Sequence, residues 1–147
     1  MVTSFVRWSD LDGNNHMANT AFLDVCVDVR LSFFEAQEFP RSELARLGFG
    51  PVVRRDEVDY LRELRLGQKY QVDFELAGCS EDGSRFILRN TFWLEDGTKV
   101  AVVTSHGGWL DLQARRLVAP PEGLLAALRA LPRTTDFAEL PSSLSPR

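Results

Sequence analysis

The chain has 147 residues, 44% hydrophobic and 26% charged, with a net charge of −4. Those are the values of one globular domain, long enough to bury about 68–70% of its unfolded surface without staples. The acidic balance excludes a general nucleic-acid binder, and two cysteines, Cys26 and Cys79, have neither metal-ligand spacing nor the number for a disulfide framework.

The opening "MVTSFVRWSD" lacks an uninterrupted apolar core of signal-peptide type, and no run of about 18 apolar residues follows, so the expected setting is a reducing cytoplasm with no membrane span. Residues 2–8 read as a short strand. "SDLDGNNHMAN" is then a polar loop holding one of only two histidines. From Asn19 two periods compete. Val25, Val27, Val29, Leu31 and Phe33 alternate like a strand, while Phe22, Val25, Cys26, Val29, Phe33 and Ala36 recur at helical spacing. Nearly twenty residues without Gly or Pro decide for a helix, capped by Asn19 or Thr20, ended by Pro40, and apolar around enough of its circumference to be largely buried. "RSELARLG" predicts a short helix stopped by Gly48.

From Phe49 onward the chain reads as strands. Residues 51–64 are the first candidate, and "QKYQVDFELAG" alternates as a second. "EDGS" and "EDGT" are hairpin turns around "RFILRNTFWL", and "KVAVVTSHGGWLDL" is the last strand, bulged at Gly107–Gly108. Pro121 opens a final helix, and 141–147 form a frayed tail after a single domain over 1–140. One long helix and a curved antiparallel sheet of about five strands make a two-layer α+β domain.

This order, with the loop before the helix, resembles the hotdog-fold acyl thioesterases, in particular the 4-hydroxybenzoyl-CoA thioesterase-like group. Arg7, Trp8, Asp10, Asp12, His16, Met17, Asn19 and Phe22 carry the resemblance, which extends over roughly residues 3–131. Three positions depart from the pattern. Asn15 stands where many relatives have glycine, Ala18 where many have the first of two asparagines, and Phe22 where tyrosine is frequent.

The resemblance implies hydrolysis of an acyl-CoA or acyl-carrier-protein thioester, with no cofactor beyond the coenzyme A of the substrate, no metal, and a homodimer or a tetramer of two such dimers. Asp12 takes the place of the nucleophile or general base, and the backbone N–H of Asn19 that of the carbonyl polariser. The residue chemistry is compatible. A carboxylate can attack the carbonyl or activate water, and a helix N-terminus offers free N–H groups to the developing oxyanion. Asp12 could instead be a turn residue. His16 either assists beside the sulfur or is a structural histidine, and Asp10 reads as structural. Asn15, Phe22 and Tyr60 are candidates for the substrate pocket. Arg54 and Arg55, with Arg62 and Arg65 nearby, either meet the coenzyme A phosphates or form a solvated face. Two other functions are compatible with the residues: a hotdog hydratase or dehydratase, although "DGNNH" brings its histidine one residue early, and an inactive acyl-binding domain.

Overall fold

Eighteen residues without Gly or Pro, Asn19–Ala36, form the long helix α1. Its buried positions Ala21, Phe22, Cys26, Val29, Arg30 and Phe34 recur every three or four residues, a single stripe. Val27, on another face, is 49% exposed. The helix is therefore half buried rather than largely buried, because one sheet covers it from one side. Neither Asn19 nor Thr20 caps it. Both already lie within the helix; Ala18 is the N-cap, and no side chain takes the capping role.

The computed structural model describes residues 1–144. Around α1 lie β1 (Val2–Phe5), α2 (Arg41–Leu47), β2 (Phe49–Tyr60), β3 (Lys69–Val72), β4 (Glu75–Ser80), β5 (Arg85–Trp93), β6 (Lys99–Asp111), β7 (Arg116–Val118), α3 (Glu122–Arg129) and β8 (Arg133–Leu140). The strands form one eight-stranded sheet. β2 pairs with β6, β6 with β5, and β5 with both β3 and β4. β1 extends the sheet beside β3, β7 pairs with the end of β6, and β8 runs parallel to β4. The α+β hotdog arrangement holds, with eight strands instead of about five.

Three local features account for the difference. The expected strand "QKYQVDFELAG" breaks at Asp73, whose carboxylate enters the ladder. It accepts the Thr91 N–H at 2.7 Å and the Trp93 indole N–H at 3.0 Å. The bulge lies in β2, between Val53 and Arg55, not at Gly107–Gly108. Those glycines serve close approach instead: a Cβ on Gly107 would lie 2.2 Å from the Val52 carbonyl oxygen. β8, finally, occupies Arg133–Leu140, between the last helix and the tail, where no element was expected. Of the tail, Ser142 donates to Asp82 and the Ser143 N–H donates to Ser84 Oγ, while 145–147 lie outside the described residues.

The core divides in two along α1. Under the first half, Phe22 and Cys26 pack with Val6, Tyr70, Phe92 and Val103. Under the second, Phe34 meets Trp109, Phe86, Leu124 and Leu128. Between them Arg30, 7% exposed, donates from Nε to Asn90 Oδ1 at 2.9 Å, and the Asn90 amide donates to the Asp73 carbonyl at 2.8 Å. Both cysteines are buried free thiols, and burial pushes the Cys26 thiol up to about 12, so it behaves as a small apolar residue.

Candidate active site

The loop before α1 is shaped by its own polar side chains. A 3-10 turn at Trp8–Asp10 places Asp10 in the interior, where its carboxylate accepts from the Arg7 N–H at 2.9 Å and from the Arg7 guanidinium at 3.1 and 3.3 Å. Burial pushes the Asp10 carboxyl up, but the Arg7 hydrogen bonds and charge outweigh it and hold it below the usual carboxylate range. Asp10 is thus occupied structurally. Its carbonyl also accepts the Ala18 N–H at 2.8 Å, which fixes the chain where α1 begins.

Asp12 is exposed and only partly engaged. Its Oδ1 accepts the Asn14 N–H at 2.8 Å and the His16 N–H at 3.2 Å, the turn-forming role open to an aspartate here. Its Oδ2 has no partner among the described residues. Asn15 closes the turn with φ 61°, in the left-handed region. Glycine takes that conformation freely, and asparagine is among the few other residues that tolerate it. This explains why asparagine can stand in the glycine position.

Asp12, His16, Asn19, Phe22 and Tyr60 share one open cavity of about 570 Å³, together with Arg62 and Glu63. Tyr60 ends β2 and donates from its hydroxyl to the Asn19 carbonyl at 3.0 Å, while its ring meets Phe22 edge-on at 5.6 Å. The N–H groups of Asn19 and Thr20 make no hydrogen bond among the described residues, so the uncapped start of α1 borders the cavity with free donors. His16 Nε2 lies 3.1 Å from Glu63 Oε2. A carboxylate with one free oxygen, free N–H donors and a histidine thus face a common space, as nucleophilic or general-base attack on a carbonyl requires.

The remaining expected residues lie elsewhere. Asn15 shapes the turn but does not line the cavity. Arg54 and Arg55 precede Tyr60 on β2 by five or six residues, about 16–20 Å along a strand. Arg54 lines a separate cavity of about 230 Å³ with Arg85 and His106, and Arg55 lies 3.8 Å from Glu57. A larger trough, about 880 Å³, runs over the sheet face opposite α1, away from Asp12. Among the described residues no group of three or more His, Cys, Asp or Glu side chains is placed to hold a metal ion, and no helix is long and apolar enough to cross a membrane.

A family model described as the thioesterase-like superfamily matches residues 6–128, most of the chain and the whole of this site. The chain belongs to that superfamily. No curated protein matches it in sequence. Among solved structures, this thioesterase-like chain is similar to a hypothetical protein of Staphylococcus aureus in complex with CoA, at 25% identity and TM-score 0.80, covering 91% of this chain and 86% of that one. A 1,4-dihydroxy-2-naphthoyl-CoA thioesterase of Synechocystis gives 17% identity and TM-score 0.79, covering 88% and 95%. A gentisyl-coenzyme A thioesterase gives 16% and 0.75, covering 88% and 99%.

Sequence reasoning missed Glu63 at this thioesterase-like site, and it weighed Arg62 only as one of four arginines. The signal for both was slight. The stretch "YLRELRLG" reads as a strand continuing into a turn, yet β2 stops at Tyr60 and the chain then folds back beside the 12–17 loop.

Proposed function

We propose that this protein hydrolyses acyl-CoA thioesters to the free acid and thiol. Asp12 attacks the carbonyl or activates the water that does, and the N–H groups at the start of α1 hold the oxyanion. The observation that carries the reading is the meeting, in one cavity, of the free Asp12 Oδ2, the uncapped helix start and His16. Superfamily membership supports it, and so do the thioesters named for two structural relatives and the CoA bound by a third.

Phe22 and Tyr60 wall the acyl side of the cavity, and Arg62 is the cation at its rim within one subunit. Arg54 and Arg55 serve the coenzyme A phosphates only where the ligand runs along the β2 edge. Asp12→Asn keeps size and polarity but removes the negative charge. At saturating substrate its rate should fall by about 10²–10⁴, with binding and melting temperature retained. The assay is thioester cleavage across short, medium, long and aromatic acyl-CoAs. A well-folded Asp12→Asn protein with near-normal cleavage overturns the mechanism. Hydration of 2-enoyl-CoA in place of cleavage would assign the site to the hydratases.

A further inference from the structure

Residues 61–65 run beside the catalytic loop in antiparallel fashion. The Met17 N–H donates to the Leu64 carbonyl at 2.8 Å, and His16 forms a bridge with Arg65. Leu64 is fully buried, so the backbone next to Glu63 is anchored even though the Glu63 side chain is 64% exposed. The Glu63 carboxylate lies 3.1 Å from His16 Nε2 as an ion-pair contact, and the His16 ring, 23% exposed, makes no side-chain hydrogen bond among the described residues. A carboxylate this close to Nε2 favours the proton on that nitrogen in the neutral ring and leaves Nδ1 as the available one.

We infer that Glu63 is a positioning residue that orients His16 for proton transfer, an inference that rests on the thioesterase reading above. In hydrolysis the oxygen of water ends on the acyl carbon. The C–S electron pair leaves on sulfur, and one proton from water must reach the thiolate. Asp12 serves the carbon in either of its two roles. His16, with Nε2 beside Glu63, takes that proton at Nδ1, directly from water or by way of Asp12 where Asp12 is the base, and delivers it to sulfur, so the ring ends as it began. In this role Glu63 acts through the ring rather than on the reacting atoms.

The chain has only two histidines, which makes the pair directly observable. The second, His106, has its own carboxylate, Glu57, at 2.9 Å on the opposite sheet face and serves as an internal control. The ring nitrogens of both are followed by ¹⁵N NMR in the wild type, Glu63→Ala and Glu63→Gln. The acyl-CoA panel is run on the same proteins, and on His16→Ala with and without Glu63→Ala. Glu63→Ala should shift the His16 signals away from the Nε2–H form and leave those of His106 in place. It should lower kcat by about tenfold, with KM and melting temperature unchanged, and the loss should vanish in the His16→Ala background. Glu63→Gln should keep most of the rate, because its amide oxygen still accepts from Nε2–H. A wild type that cleaves while Glu63→Ala matches it, or loses as much without His16, overturns this inference alone; so do His16 signals indifferent to Glu63. A wild type that cleaves no thioester overturns the thioesterase reading and this role with it.

Discussion

Ala18 stands where most helices place a side-chain oxygen. Its φ of −63° and ψ of 147° are those of an N-cap, yet its methyl group can satisfy no N–H. Replacing a capping oxygen by alanine typically costs a protein about 0.5–2 kcal/mol. Here the same vacancy leaves donors free beside Asp12, so stability and chemistry compete for one set of N–H groups. Ala18→Asp should therefore raise stability by about 0.5–2 kcal/mol, through capping and the helix dipole, and lower the thioesterase rate sharply, since its carboxylate fills the place of the oxyanion. Melting temperature and kcat measured on one preparation decide it. A stabilised variant with full activity would show that these N–H groups take no part. Asn15 is the complementary case, a residue suited to its backbone angle of φ 61°.

At the level of elements, α1 is tied to the sheet through a polar seam. Arg30 is a buried cation whose Nη2 has no hydrogen-bond partner among the described residues, and burial pulls its pKa down. Asn90 Oδ1 is the acceptor that its guanidinium has. Asn90→Ala should thus cost about 3 kcal/mol, mostly by leaving the charge without its partner, whereas Arg30→Met, close in length and apolar, should cost less. Chemical denaturation of the two variants tests the order; an equal or reversed ranking would mean that the seam is not held by this bond. The same elements show what the sequence made legible. The helix and both Asp-Gly hairpins could be read because their signals are local: a period, a missing breaker, a positive φ at Gly83 and Gly97. The break at Asp73, the bulge opposite Gly107 and the parallel β8 could not, because each depends on a neighbour far away in sequence. So with the site: Asp12, His16, Asn19 and Phe22 lie in one continuous stretch, while Glu63 joins them only through the pairing of two distant loops.

Across the whole molecule, a long exposed edge is the outer side of β2, a twelve-residue strand paired only with β6 among the described residues. An edge this long invites another strand, and Val53 and Tyr60 on it are each about half exposed, as is Val27 on α1. The edge is also self-complementary in charge. It reads Val53-Arg54-Arg55-Asp56-Glu57-Val58, and antiparallel pairing with a second copy, centred on Asp56, sets Arg55 against Glu57 on the one face that both share. A two-fold axis repeats the pair, as an isologous dimer requires. The expected assembly is therefore a homodimer joined at β2, about twice the chain mass of 16.6 kDa by light scattering at micromolar concentration. Arg55→Glu places like charges opposite each other twice and should shift the protein toward monomer. Adding Glu57→Arg restores opposite charges across the axis and should restore the dimer. A monomeric wild type rules the assembly out. A dimer indifferent to Arg55→Glu, or one that the second change fails to rescue, places the interface in another register or on another face.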